Sequence, residues 1–331
     1  MRVHVTYAGG TIGMVESERG LVPGADMRTW LSEVAALAGL EGSSIGFSQI
    51  DPPIDSSNAG PDQWRALVDD LVRHRDEADG FVVLHGTDTM AYASSAASFA
   101  LASFSKPVVF TGSQLPARCA GSDAYSNTVG ALTAVFSGRA TGVSLFFGRH
   151  LFRGCRVTKR STWDFEGFES PCAAPLACAG APWEWSAASE SACGWPDPLA
   201  YRRCDIAVVD LVPGVSTARI ESAVTPLPEA VLVRAYGIGN APCDEPGFPE
   251  LFEGLAARGV PIVVCSQCAQ ASVALGRYEA GTAFPPDGSV GARDMTFEAA
   301  YAKTAFLLSQ GLRGRDLMAW MGRSIAGELS A

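Results

Sequence analysis

Gly80-Phe81-Val82-Val83-Leu84-His85-Gly86-Thr87-Asp88-Thr89-Met90 decides the fold class. Its first five residues form a short unbroken apolar run, the pattern of a strand buried on both faces of a parallel sheet. The run breaks into His-Gly-Thr-Asp-Thr and passes into 90–104, Ala-rich and free of Gly and Pro, which reads as a helix. A hydroxyl, a carboxylate and a helix N-terminus therefore meet at the carboxyl end of a strand, where open α/β sheets bind ligands. Capping of the helix by Thr87, Asp88 or Thr89 is the competing reading, and the stretch alone leaves both open.

The same grammar repeats on either side. Residues 2–7 read as a strand that runs into Gly9-Gly10-Thr11, and 106–110 as a strand that ends in Thr111-Gly112-Ser113-Gln114. Ser48-Gln49-Ile50-Asp51-Pro52-Pro53-Ile54 leads to Asp55-Ser56-Ser57-Asn58, and 143–147 is a further strand. Helices are expected at 27–38 and 124–137, with an amphipathic one between them carrying Trp64, Leu67, Val68, Leu71 and Val72. Residues 171–204, rich in Pro, Ala, Ser, Cys and Trp, read as a connection. A second α/β series follows, with strands at 206–211, 230–233 and 261–265 and helices near 248–258 and 296–310. The expectation is an α/β protein: a larger N-terminal parallel-sheet domain (1–185), a linker (186–204) and a smaller C-terminal α/β domain (205–331).

Composition narrows the function. The 331 residues are 47% hydrophobic and 18% charged, ample for sizeable cores. A formal charge of −10 argues against nucleic acid or an anionic membrane as partner. Nine cysteines lack disulfide-type spacing, the first residues enter a strand rather than a leader, and no apolar run approaches a membrane span, so a reduced, cytoplasmic setting is expected.

Four motifs follow strands in the N-terminal half: Gly9-Gly10-Thr11, Asp55-Ser56-Ser57, Gly86-Thr87-Asp88 and Gly112-Ser113. In a parallel sheet such ends share one edge. The spacing fits neither Gly-x-Gly-x-x-Gly nor a phosphate loop, since no Gly-Lys-Ser/Thr follows Gly10. Cys265-x-x-Cys268 lacks two further ligands at zinc spacing, so no metal is expected. Hydroxyls, a carboxylate and close-approaching backbone suit acyl transfer to a hydroxyl nucleophile, with N–H groups as oxyanion donors. A threonine needs a neighbour to take its proton; His4, His74, His85 and His150 are not obvious bases, which leaves a partly desolvated lysine as the alternative. Lys159 stands among Arg153, Arg156 and Arg160 and by itself reads as part of a solvated basic surface.

Tyr7-Ala8-Gly9-Gly10-Thr11-Ile12-Gly13-Met14 together with His85-Gly86-Thr87-Asp88-Thr89-Met90 resembles the two signature stretches of the bacterial L-asparaginase family. The resemblance runs through Asp55-Ser56-Ser57, Thr111-Gly112-Ser113-Gln114, Val157-Thr158-Lys159, 234–242 and Ser266-Gln267-Cys268, and is strongest to the cytoplasmic type I branch. It implies hydrolysis of a side-chain amide, asparagine or a related one, to a carboxylate and ammonia. In that reading Thr11 is the nucleophile that forms an acyl-enzyme, and Thr87, Lys159 and Asp88 form a second catalytic group. Ser56, Ser57, Gly86, Asp88 and the Ser113 backbone hold the substrate. The resemblance further implies no cofactor, a small amino-acid or amide substrate, and a homodimer or homotetramer. Arg234 and Cys268 match positions that line an effector site in some type I members.

The chain also departs from the pattern. Type I members tend to carry a tyrosine in a Gly-Tyr-Ile-Pro-like lid string, which here reads Gly20-Leu21-Val22-Pro23; Leu21 neither exchanges a proton nor donates a hydrogen bond. Ala8 stands where the family usually has threonine. Three outcomes are open: Thr87–Lys159–Asp88 suffices, the lid supplies Glu16 or Glu18, or the substrate is not free asparagine. The alternatives to an asparaginase are therefore an amidohydrolase for a modified or peptide-linked Asn or Gln, and a catalytically impaired amino-acid-binding paralogue.

Overall fold

A computed structural model of the chain describes residues 1–18, 20–40, 44–187, 192–277 and 283–330. Two compact units result, Met1–Ser189 and Glu190–Ala331. The first contains β1 (Arg2–Gly9), β2 (Met14–Ser17), β3 (Gly20–Pro23), α1 (Met27–Leu37), β4 (Ser44–Ile54), α2 (Pro61–Arg73), β5 (Gly80–Leu84) and α3 (Met90–Ala100). It continues with β6 (Val108–Thr111), α4 (Ala124–Phe136), β7 (Val143–Phe147), β8 (His150–Arg153), β9 (Thr158–Lys159), β10 (Phe168–Glu169), β11 (Ala177–Cys178) and β12 (Glu184–Trp185).

The main sheet has the order β12-β11-β8-β7-β6-β5-β1-β4. From β4 to β7 every pairing is parallel, as the unbroken apolar runs require. Beyond β7 the sheet turns antiparallel, because Gly148-Arg149 is too short to cross over and can only close a hairpin. The sheet is therefore mixed, with a parallel half that carries all four motif-bearing strands side by side: β6, β5, β1 and β4.

Alternation along β1 sorts its two faces. Val3, Val5 and Tyr7 pack with Trp30, Leu31 and Val34 of α1 and with Leu132 and Val135 of α4. His4 and Thr6 take the other face, beneath α2. The α2 stripe differs from the expected one. Trp64, Leu67 and Leu71 are buried, but Val72 is 49% exposed and Asp70 only 3%, because Thr6 and Ser48 donate hydroxyl protons to the Asp70 carboxylate. α3 is buried all round; Ser95 and Ser98 return their hydroxyls to the helix carbonyls of Ala91 and Ser94, and Ser94 reaches Gly154 O.

The second unit holds β13 (Ile206–Asp210), α5 (Thr217–Ala223), β14 (Ala230–Ala235), α6 (Phe248–Ala257), β15 (Ile262–Ser266), β16 (Ser289–Gly291), α7 (Phe297–Ser309) and α8 (Gly314–Met321). Its sheet, β13-β14-β15-β16, is parallel throughout. Lys303 and Glu328, both fully buried, pair at 2.6 Å; the ammonium also donates to Met321 O and Arg323 O, and the carboxylate accepts from the Ile325 and Ala326 amides. Part of the stretch read as a connection packs here: Cys193 and Gly194 bond to Ser324 and Ile325, and Trp195 meets Phe306 edge-on and Trp320 at a tilt. Among the described residues no helix is long and apolar enough to cross a membrane.

Candidate active site

The site is assembled by backbone contact between strand ends. Gly10, at φ 91°, lies so close to Gly86 that a Cβ on it would sit 2.2 Å from Gly86 Cα. Only glycine allows that approach in that conformation. Gly86 in turn abuts the Ser56 hydroxyl, at 2.4 Å from its own would-be Cβ. The ends of β1, β5 and β4 are thereby locked together, and Thr11 and Thr87 each follow directly on the touching glycines. Thr89 Oγ1 donates to Ser56 O at 2.7 Å, so this side chain ties the β5 loop to the β4 loop and leaves the first turn of α3 uncapped.

Lys159 arrives from the β9–β10 hairpin. Its Nζ lies 2.8 Å from Thr87 Oγ1 and 2.7 Å from Asp88 Oδ1, and its side chain is only 16% exposed. The reading of this lysine as solvated basic surface is thus overturned. The same holds for Arg156, 2% exposed, which donates to Cys172 O. As an ammonium, Lys159 donates to both neighbours; as an amine it accepts the Thr87 proton while still donating to Asp88. Thr87 is buried, whereas Asp88 keeps 63% of its side chain in solvent. Thr11 is half-buried on a single 3₁₀ turn, Thr11–Gly13, and among the described residues its hydroxyl has no hydrogen-bond partner.

The other candidates divide. Ser56 is buried against Gly86, and Ser113 is buried with its hydroxyl given to Leu115 O, which leaves its backbone as the group to face a ligand. Ser57 is exposed, its amide held by Asp55 Oδ1 at 3.1 Å. His85 is a weak base: it is buried, burial pushes its pKa down, and Nδ1, 2.8 Å from Gly86 O, must carry the proton. The Tyr7 phenol is wedged under Gly13 in the turn carrying Thr11, and burial raises its pKa, so it stays protonated. Within the lid candidate, 15–26, β2 and β3 pair antiparallel, with Glu16 directly opposite Leu21. Both side chains therefore share one face, and both are exposed, as is Glu18.

Comparison with known proteins matches residues 2–190 to the family "Asparaginase, N-terminal" and residues 205–321 to "Glutaminase/Asparaginase C-terminal domain". The chain belongs to the asparaginase family. It is 35% identical to L-asparaginase 1 of Escherichia coli K12, covering 99% of this chain and 98% of that protein. Among solved structures, L-asparaginase I of Vibrio cholerae superposes with a TM-score of 0.87 at 34% identity, over 100% of this chain and 99% of that one. The thermostable L-asparaginase of Thermococcus kodakarensis also gives a TM-score of 0.87, at 28% identity over both full chains.

For this asparaginase the supporting residues are as informative as the motifs. Asp123 accepts the Gln114 amide at 3.0 Å and the Leu115 amide at 3.2 Å, which shapes the loop after Ser113. Asn127 bonds Gly112 O at 2.9 Å and Asp123 Oδ2 at 3.0 Å, and accepts from the Gly148 amide. Gln114 Nε2 spans to Ser161 O and Asp164 O at 3.1 and 3.0 Å, fastening the loop that follows Lys159 to the Ser113 loop. Gln114 stands in the strand-end motif read from sequence, whereas Asp123 and Asn127 do not. Asp123 and Asn127, four apart on one helical face, were the available signal.

Proposed function

We propose that this asparaginase-family chain hydrolyses a side-chain amide, asparagine foremost, to the carboxylate and ammonia through an ester on Thr11. The supporting observation is the Lys159 Nζ held between Thr87 Oγ1 and Asp88 Oδ1, together with the Gly10–Gly86 contact that joins the loops carrying Thr11 and Thr87. Thr11 Oγ attacks the amide carbon, its proton leaves toward a neighbouring base, and the protonated leaving group departs as ammonia. Water then cleaves the ester: its proton passes through Thr87 to Lys159 and on to the departing Thr11 oxygen, which regains its hydroxyl, and the acid product gives up its own proton to solvent. The family resemblance assigns the nucleophile to Thr11, and the Lys159–Thr87 hydrogen bond suits Thr87 to relay a proton.

Ser56, Ser57, Gly86, Asp88 and the Ser113 backbone hold the α-amino and α-carboxylate groups in this reading, with no cofactor taking part. Asp88 suits the ammonium, being a carboxylate with an open side. The relatives' names favour asparagine over a modified or peptide-linked amide. Nine cysteines outside any disulfide are consistent with work in a reducing, cytoplasmic setting, and assembly as a homodimer or homotetramer belongs to the same proposal. The test is ammonia release from asparagine, glutamine and derivatised amides by the wild type, Thr11→Ala and Thr87→Val. Turnover of asparagine that both substitutions abolish supports the proposal. Stabilisation by aspartate without turnover of any amide overturns it in favour of a binding protein.

A further inference from the structure

A second buried polar cluster lies in the N-terminal unit, between the sheet and α2. Asp70, 3% exposed, accepts from Ser48 Oγ at 2.6 Å, from Thr6 Oγ1 at 2.9 Å and from Arg73 at 3.2 Å. The single Ser48 proton is committed to that carboxylate, so His4 Nε2, 2.8 Å from Ser48 Oγ, must be the donor. His74 Nδ1 lies 2.9 Å from the Asp70 carbonyl and is likewise a donor. The two imidazoles stack face to face, with centroids 4.0 Å apart and planes within 19°. Each ring then has one nitrogen left for a further proton, and the two surroundings differ. His4 Nδ1 abuts Gly46, where a Cβ would lie 2.8 Å away, and among the described residues it has no hydrogen-bond partner. His74 Nε2 faces the exposed Glu77 carboxylate at 4.0 Å.

The charged groups around the stack are Asp70 and Arg73 on α2, Glu77 after it, and the Arg2–Asp79 pair at the outer end of β1. β4 contributes only Gly46 and Ser48, and β5 only Phe81, 6.1 Å from His4. Donor atoms of His4, Asp70 and His74 lie within 4.8 Å of one another, near enough to raise the question of a metal ion. Stacked rings, however, direct their nitrogen lone pairs side by side rather than to one point, and the inward-facing atoms are already hydrogen-bonded.

We propose that the His4–His74 stack is a one-proton device coupling acidity to the docking of α2: it takes one proton, at His74 Nε2 against Glu77, refuses a second on His4, and releases the C-terminal turn of α2 when the second is forced on it. Two charges 4.0 Å apart strongly repel, and the Asp70 and Glu77 carboxylates, set against the Arg73 guanidinium, leave the site one net negative charge, enough to balance a single proton. Burial, then the neighbouring His74, hold His4 below its ordinary range, with Asp70 and Glu77 opposing. A histidine whose folded-state pKa is depressed contributes stability that is complete above about 6.5 and declines as pH falls below it. The device bears on the strands that lead to Thr11 and Ser56, yet its test uses no amide substrate.

Ring NMR titration of the four histidines in the folded wild type and in His74→Gln decides the matter, with amide exchange of 67–73 followed alongside. In the wild type the His4 ring stays neutral while His74 titrates, and α2 loses protection on the acid side before α4 does. In His74→Gln the His4 pKa rises, because the neighbouring charge that opposes its protonation is gone. Independent titration of both rings near 6.5, unchanged by the substitution, overturns the proposal. So does a shift of both rings on adding zinc at neutral pH, which would mark an ion site. Should His74→Gln not fold, the wild-type titration alone decides: a His4 ring gaining full charge together with His74 is the contradicting result.

Discussion

Replacing Lys159 with methionine keeps the aliphatic stem and removes only the group that touches Thr87 and Asp88. The structural cost follows from burial. Asp88 is 63% exposed and regains water, so loss of its ion pair costs no more than about 1 kcal/mol. Thr87, 5% exposed, loses a hydrogen bond at a cost of about 1–2 kcal/mol. Together these lower Tm by a few degrees and leave a folded protein. The rate should respond on a different scale: removal of a positioned proton-transfer group costs roughly 10²–10⁴ in turnover. Continuous ammonia assay beside a thermal melt separates the two effects. Lys159→Arg sharpens the test, since a guanidinium keeps the charge but never gives up its proton; it should restore Tm and not rate. A Lys159→Met enzyme within threefold of wild-type turnover, or full rescue by arginine, refutes proton relay through this lysine.

Gly10→Ala forces a Cβ to 2.2 Å from Gly86 Cα at φ 91°; it should separate the Thr11 and Thr87 loops and abolish turnover, read by assay and melt together, and a fully active variant would refute the contact-driven assembly. Leu21→Tyr adds a hydroxyl to the face of the β2–β3 pair shared with Glu16; kcat on asparagine should rise at least about tenfold if that face covers the nucleophile, and an unchanged kcat removes the lid from the mechanism. Lys303→Met strands a fully buried carboxylate, for an expected loss of about 3–5 kcal/mol in urea unfolding. Lys303→Met with Glu328→Gln should recover part of it. Burial depresses the His85 pKa, so the folded state binds fewer protons than the unfolded one below about 6.5 and Tm should fall with pH there; a neutral isostere, His85→Asn, should flatten that limb.

How much of this was legible in the sequence depended on where the partners lie. Gly80–Leu84 and Val143–Phe147 are buried on both faces, so their burial is written as contiguous apolar residues. The strands β9 to β12 have two residues each and owe their existence to pairing, which leaves no periodic trace. Lys159 and Arg156 looked like surface because a cation's burial is set by distant acceptors, here Thr87, Asp88 and Cys172 O. Asp70 displaced Val72 from the core for the same reason: Thr6 and Ser48, far off in sequence, supply its hydrogen bonds. The four strand-end motifs were visible individually. That β6, β5, β1 and β4 are neighbours is a fact of topology.

The central claim is that Thr11 carries the acyl group. Quenching Thr87→Val, in which release of the acyl group should fail, after mixing with asparagine and mapping its peptides by mass spectrometry tests it directly. A β-aspartyl ester on the peptide bearing Thr11, absent from a Thr11→Ala control that releases no ammonia, is the predicted result. Ammonia release at the wild-type rate by Thr11→Ala, or the ester on another side chain, would contradict the account.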